Sequence, residues 1–226
     1  MEAETRAGSV IDPRVAAQRA MERSNIYGFL AAVYRAEPSA ELLRRIRSPS
    51  FLQALRDAGV AVEDNFLDRP DAALLSDLSL EYGRLFIGPG RHVSLHESVH
   101  SPSDTGSLWG RSTIAVKNFV ESVGVEFRPE YRGIPDHISV ELEFMQRLTE
   151  LEAEARRQDG ELAARWLQIE QRFVEEHLAK WVPPFCDKVL DESEHFFYRE
   201  MARLTRAFIS LEHQELTGLA QGDPVT

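Results

Sequence analysis

The sequence has a single cysteine, Cys186, so no disulfide within the chain can stabilise the fold. A chain without a disulfide framework is typical of a reducing compartment, and we expect the protein to be cytoplasmic. A lone cysteine of this kind is most often a small core residue. We therefore predict no catalytic role for Cys186.

Long apolar runs are also absent. No segment offers the roughly 18 uncharged apolar residues that a membrane-spanning helix requires, and residues 1–25 lack the apolar stretch of a secretory signal. We expect neither export nor stable membrane insertion. The 13 Gly and 11 Pro are too few for a fibrous or low-complexity chain, and 226 residues suffice for one substantial core. The prediction is one domain over residues 1–226.

Positive charge is scarce as well. The chain has 26 Lys and Arg against 37 Asp and Glu, which gives a formal net charge of -11. Binding to a nucleic-acid backbone requires a basic surface, so we predict no nucleic-acid partner. An acidic composition suits a basic partner, and it also suits simple solubility.

Apolar residues recur at helical spacing along most of the chain, and no alternating strand pattern competes with them. Helix starts are indicated at Asp12-Pro13 and Ser48-Pro49, where a capping residue precedes a proline suited to the first turn. Gly88-Pro89-Gly90 ends a helix that begins after Pro70. The pattern predicts an all-α fold, a single globular helical bundle.

Three further features are predicted after the helix that ends at Gly88. The segment from Gly88 to Gly106 has no sustained period and is predicted to be a loop. A long amphipathic helix follows Pro135, with a glutamate-rich face that is predicted to be exposed: Glu141, Glu143, Glu150, Glu152 and Glu154. The next helix is predicted to end close to Trp181, because Pro183-Pro184 removes two backbone donors.

The last helix is predicted to begin near Ser193. Its interior face is expected to carry Phe197, Met201, Leu204, Phe208 and Leu211. A tryptophan buries a large area wherever it lies. Trp109, Trp166 and Trp181 are therefore predicted to be anchors of the core.

Candidate catalytic and metal-binding groups are few. His92, His96 and His100 are spaced by four residues, as ligands on one helix face would be, but they fall in the predicted loop. Glu97-x-x-His100 and Glu192-x-x-His195 have the spacing found in helix-bundle metal sites, yet a loop or a helix dipole explains each. We predict no cofactor and no metal. A helical metal-dependent oxidoreductase is kept as the alternative function.

Asp136 and His137 stand at a predicted helix entry directly after Pro135. An aspartate at this position is explained by capping of the helix and by its dipole. An acid and an imidazole beside a groove would equally suit binding. From the residues alone, both interpretations stay open.

Three separated segments resemble one known family. Tyr82, Leu85 and Phe86 form an aromatic-x-x-Leu-Phe motif that runs into a Gly-Pro loop, with Glu97 in the expected continuation. The segment 134–138 carries an Asp-His motif, and 177–185 is similar to a His-Leu-x-x-Trp-x-Pro motif. Together these segments, within residues 82–185, resemble the TorD/DmsD/NarJ-like chaperones, also called redox enzyme maturation proteins.

The resemblance implies an all-helical chaperone that is not an enzyme. Its implied partner is the twin-arginine signal peptide, or the apo form, of the catalytic subunit of a molybdenum-containing oxidoreductase. The residues that it implies for signal-peptide binding are Asp136, His137, Tyr82, Leu85, Phe86 and Pro135. Gly133 and Ile134 replace the Glu-Pro of the family's usual motif, and this form resembles the branch that serves type II DMSO reductase-like enzymes. A monomer or a homodimer is expected.

Overall fold

The computed structural model describes residues 12–57, 59–60, 62, 64–90, 92–101, 104, 106–127, 131–158 and 160–220. The two ends of the predicted domain, 1–11 and 221–226, lie outside the described residues. In chain order the helices are α1 (Pro13–Arg35), α2 (Ala40–Ile46), α3 (Pro49–Asp57), α4 (Asp64–Asp68), α5 (Asp71–Tyr82), α6 (Glu97–His100), α7 (Arg111–Ser122), α8 (Ile138–Ala155), α9 (Gly160–Phe173), α10 (Ala179–Glu192) and α11 (Phe196–Ala220). Two π-helical turns, π1 (Gly83–Ile87) and π2 (Val174–Leu178), follow α5 and α9.

Helix α1 begins where the sequence predicts. The side chain of Asp12 accepts a hydrogen bond from the backbone N–H of Arg14 at 2.8 Å, and Pro13 occupies the first turn. The helix packs along α8, and the two approach closely at Gly28, where an added Cβ would lie 2.7 Å from the Gln146 side chain. This pair of helices forms the centre of the bundle.

One apolar cluster forms the core, and aromatic rings from four parts of the chain meet at Phe86 within it. The Phe86 ring lies 5.0 Å from Tyr82, 5.8 Å from Tyr198 and 6.2 Å from Tyr34, each in an edge-to-face arrangement. Phe185 stacks on the same ring at 6.5 Å. The core therefore joins α1, α5, α10 and α11 around one aromatic residue.

The prediction that a helix ends at Trp181 is wrong. The chain continues from π2 into α10 and passes through Pro183 and Pro184 without leaving the helix. Proline costs about 3 kcal/mol in a helix interior, but burial of the surrounding side chains can outweigh that cost. The buried residues of α10 are Trp181, Val182, Phe185, Cys186 and Val189.

One segment and four side chains also differ from the predictions. The predicted loop between Gly88 and Gly106 contains α6 and an isolated β-bridge. Trp109 precedes α7 and is 65% exposed, so it does not anchor the core, whereas Trp181 is fully buried. Leu211 is half-exposed because it lies on the outer face of α11. Among the glutamates predicted to be exposed on α8, Glu141 and Glu152 are buried.

Within the described part of the chain, none of the helices has the length and apolar character that a membrane span requires.

Candidate peptide-binding groove and the polar cluster beneath it

An open groove of ≈ 990 Å³ lies between the C-terminal ends of α1 and α7, the segments 125–127 and 131–134, and α8. Its apolar and aromatic lining comes from Val120, Val125, Phe127, Tyr131, Ile134, Val140 and Phe144. Its charged lining comes from Arg35, Glu126, Arg132, Glu143, Arg147 and Glu150. Such a surface combines apolar contact area with charges of both signs, as the binding of an amphipathic peptide requires.

One wall of the groove is a short pairing of two extended segments. The backbone N–H of Glu97 donates to Asp136 O at 3.0 Å, and that of Ile138 donates to Leu95 O at 2.8 Å. His96 and His137 form the resulting antiparallel bridge, with their rings 5.0 Å apart, edge to face. Both histidines line the groove. We call residues 95–98 and 136–138 the bridge wall.

His137 also caps α8. Its Nδ1 accepts hydrogen bonds from the backbone N–H of Ser139 at 3.2 Å and from the Ser139 hydroxyl at 2.9 Å, which requires an unprotonated Nδ1. Burial, reinforced by the neighbouring His96, lowers the pKa of His137 to about 4. The pKa of His96 is lowered by burial as well. The imidazoles of the bridge wall are therefore neutral at physiological pH.

Asp136 belongs to the bridge wall, but its side chain is fully buried and does not line the groove. Its Oδ2 accepts a hydrogen bond from the backbone N–H of Ser98 at 2.8 Å, whereas its Oδ1 has no hydrogen-bond partner among the described residues. The carboxylate therefore holds the start of α6 against the start of α8. The capping interpretation of Asp136 agrees with this geometry, except that the capped helix is α6, which is distant in sequence.

Two further acidic side chains, that of Glu97 in the bridge wall and that of Glu141, are buried and do not line the groove. Glu97 Oε2 lies 2.9 Å from Nδ1 of His177 on π2, and both side chains are buried. Glu141 on α8 accepts a hydrogen bond from the indole N–H of Trp181 at 3.1 Å. Burial and the nearby charge of Glu97 raise the pKa of Glu141 well above its usual value.

The residues that the sequence predicts for peptide binding occupy two different environments. His137 lines the groove, while Pro135 and Asp136 are buried beside it. Tyr82, Leu85 and Phe86 belong to the core and do not line the groove. That these six residues bind a signal peptide stays a prediction.

Tyr82 and Leu85, which belong to the core, nevertheless support the bridge wall. The carbonyl of Leu85 on π1 accepts a hydrogen bond from the backbone N–H of Val93 at 2.7 Å, two residues before the wall begins. Tyr82 donates its hydroxyl to Tyr34 O at 2.9 Å, and burial raises the pKa of Tyr82 to about 12. The aromatic-x-x-Leu-Phe motif therefore fixes the chain that leads into the groove.

Sequence reasoning missed the inward orientation of Glu97, Glu141 and His177. Glu97 and His177 lie in the segments that carry the family resemblance, but they are 80 positions apart and nothing in the spacing indicates their contact. The pattern of α8 predicts an exposed Glu141, whereas the side chain is buried. A sequence signal for its burial is its place three residues after Ile138 and four before Met145, both on the apolar face of the helix.

No three His, Cys, Asp or Glu side chains in the described part of the chain are arranged to hold a metal ion. Among the histidines with metal-ligand spacing, His100 instead uses its Nε2 to donate to Ser94 O at 2.7 Å, and its Nδ1 lies 3.2 Å from Nζ of Lys188. Its ring stacks on Trp181 at 5.6 Å. These contacts give His100 a packing role.

Comparison with known proteins gives one family match and several relatives. The family model described as nitrate reductase delta subunit matches residues 48–187, more than half of the chain. A "Chaperone protein TorD" of Vibrio cholerae is 26% identical over 213 residues, covering 88% of this chain and 94% of the relative. The protein of the same name from Vibrio atlanticus is 27% identical over 215 residues, covering 87% and 95%.

One solved structure has the same fold. It is that of a candidate redox enzyme maturation protein from Archaeoglobus fulgidus, which matches with a TM-score of 0.50 and 22% identity over 83% of this chain and 93% of that one. At this identity the likeness concerns the fold alone. It confirms the predicted all-α bundle.

The fold and the groove define an all-helical binding protein with a polar cluster beneath an open surface. The chain belongs to the nitrate reductase delta subunit family. This confirms the family predicted from the three motif segments. The name shared by the relatives agrees with the prediction of a chaperone rather than an enzyme, and it does not favour the alternative of a metal-dependent oxidoreductase.

Proposed function

We propose that the protein is a system-specific chaperone that binds the catalytic subunit of a molybdenum-containing oxidoreductase, and that the groove receives its twin-arginine signal peptide. The observation that carries this proposal is the open groove beside the Asp136–His137 pair, in a chain of this family. Binding before export implies a cytoplasmic location, and the chaperone assists assembly and insertion of the partner's cofactor without turnover of its own.

The groove has the chemistry that such a peptide requires. A twin-arginine signal presents two guanidinium groups followed by an apolar stretch. Phe127 and Tyr131, stacked at 5.7 Å, and Phe144 offer apolar surface to that stretch. Glu126, Glu143 and Glu150 at the groove offer carboxylates that bind guanidinium groups in a bidentate manner.

Two of these carboxylates already pair with arginines of the chain itself. Glu143 pairs with Arg35, and Glu150 lies 3.1 Å from Arg147, both at partly exposed positions. Exposed pairs of this kind contribute about 0–1 kcal/mol, so an incoming guanidinium can replace them at low cost. The groove is therefore able to exchange internal ion pairs for contacts with a peptide.

The experiment is calorimetric titration of the protein with a synthetic signal peptide from a molybdenum-containing oxidoreductase encoded in the same gene neighbourhood. We expect saturable binding that weakens by roughly tenfold or more when both arginines become glutamine, since each loses a charge-assisted hydrogen bond. Glu126→Gln should weaken binding of the arginine peptide, whereas Glu41→Gln, at an exposed position of α2, should not. Absence of binding to the peptide would reject the proposed site.

The proposed chaperone function is also compatible with a second target, the mature part of the partner subunit. The acidic surface and the groove also suit a segment of the mature apo subunit. Pull-down of the partner with and without its signal peptide separates the two: retention after deletion of the signal supports the mature subunit as the target. The type II DMSO reductase-like branch and the choice between monomer and homodimer stay predictions.

A further inference from the structure

Neither Glu97 nor His177 lines the groove, yet each is tied to the bridge wall. The backbone of Glu97 pairs with Asp136, while its carboxylate reaches back to His177 on π2. The wall itself is short, with two backbone hydrogen bonds and the contact of Asp136 with Ser98 across it. A pairing of this length needs support from outside to keep one geometry.

The support comes from a turn with unusual geometry. The π-helical turn π2 gives Val174–Leu178 one extra residue in its hydrogen-bonded ring, and such turns occur frequently at functional sites. His177 lies in this turn and packs against Phe119 at 5.9 Å and Phe173 at 4.9 Å. Its ring is therefore fixed in the core with Nδ1 directed at Glu97.

We propose that Glu97 and His177 are positioning residues for peptide binding: their buried contact holds the bridge wall, and with it His137, in the conformation that forms the groove. The proposal rests on the proposed function of the groove. It assigns a role to a pair that does not line the groove. Loss of the contact releases the wall without dismantling the bundle.

The test uses two variants at one position. His177→Phe keeps the ring volume among Phe119 and Phe173 but removes the nitrogen that contacts Glu97, whereas His177→Asn retains a donor near the place of Nδ1. We expect His177→Phe to weaken binding of the synthetic signal peptide by roughly tenfold, the effect of one lost hydrogen bond to a charged group. His177→Asn should restore affinity to within about threefold of wild type.

A second measurement follows the wall directly. The titration of the His137 imidazole by nuclear magnetic resonance reports its burial, with His96, Asp136 and Arg35 as the charged or titratable neighbours. In the wild type we expect a pKa of His137 of about 4. In His177→Phe the pKa should move toward the ordinary value of 6.5, because the released wall admits water.

Trp181→Phe is the matched control. It removes the hydrogen bond to Glu141 in the same buried cluster without altering either Glu97 or His177. Peptide affinity and the His137 titration should stay at wild-type values. If Trp181→Phe shifts both as much as His177→Phe does, general destabilisation explains the result and the positioning role is rejected.

The remaining outcomes also decide the matter. If His177→Phe leaves the affinity and the His137 titration unchanged, the proposal is overturned. If His177→Phe does not fold, Glu97→Ala and Glu97→Gln give the same comparison, with the glutamine retaining an acceptor. If the wild type binds no peptide, the proposed function fails, while the His137 titration still decides whether the pair holds the wall.

Discussion

The guanidinium of Arg23 on α1 lies 2.5 Å from a carboxylate oxygen of Glu170 on α9, although the two residues are 147 positions apart. The same guanidinium lies 2.8 Å from Glu152 on α8 and 2.8 Å from Glu212 on α11. Tyr27 donates its hydroxyl to Glu212 at 2.8 Å. One arginine therefore joins four helices through three buried glutamates.

Replacement of Arg23 should destabilise the protein strongly. Arg23→Met removes the cationic partner of Glu152 and Glu212 and a hydrogen-bond donor to Glu170, and removal of one member of a buried ion pair costs about 3–5 kcal/mol. Chemical denaturation measures the loss. Lys117→Met is the control, because the pair of Lys117 with Glu121 is half-exposed and contributes at most about 1 kcal/mol. Equal losses in the two variants would contradict a structural role for Arg23.

The same cluster makes stability dependent on pH. Burial raises the pKa of Glu170 from 4.5 to about 8, against the opposing effect of Arg23, and its Oε1 has no hydrogen-bond partner among the described residues. The folded chain therefore keeps a proton that the unfolded chain has released. The contribution of Glu170 is fully present below about pH 4.5 and declines as the pH rises to about 8.

Glu170→Gln should remove this dependence, because the amide has no proton to release. Denaturant titrations between pH 5 and 8 measure the free energy of unfolding of both proteins, a window inside the range that the shifted pKa of about 8 sets. The wild type should lose stability relative to the variant as the pH rises. Glu41→Gln, on an exposed surface, should follow the wild type throughout. A constant difference between wild type and Glu170→Gln would contradict a raised pKa.

The aromatic-x-x-Leu-Phe motif should contribute to the stability of the fold rather than directly to peptide binding. Phe86→Ala leaves a cavity among four aromatic rings and should cost about 3–5 kcal/mol. The fraction that remains folded should still bind the signal peptide, because Phe86 does not line the groove. Leu80→Ala, at a position 72% exposed, is the control and should change neither property. A full loss of binding at unchanged stability would place Phe86 in the peptide site.

Much of the fold is predictable from local patterns. The start of α1 at Asp12-Pro13 and the all-α class follow from capping chemistry and helical periodicity, which act over a few residues. The continuation of α10 through Pro183 and Pro184 does not follow, because burial of distant surfaces offsets a local penalty. The exposure of Trp109 is likewise not predictable from local patterns, because it depends on the tertiary position of the segment before α7.

The site is predictable only in part, for the same reason. The motifs indicate that Asp136 and His137 lie at a helix entry, and the structure places His137 at the groove. Glu141 and Glu152 have the composition of an exposed helix face, yet Trp181 and Arg23 from elsewhere in the chain compensate their burial. Such compensation involves partners far away in sequence, so periodicity alone assigns these glutamates to the wrong face.

The most direct test of the central claim is photo-cross-linking of the signal peptide to the protein. A photoreactive phenylalanine analogue is placed at Phe127 in the groove and, as a control, at the half-exposed Leu211 on α11. We predict a cross-link to the arginine peptide from position 127 that excess unlabelled peptide abolishes, and none from position 211. Equal cross-linking from both positions, or cross-linking from 211 alone, would contradict the groove as the peptide-binding site.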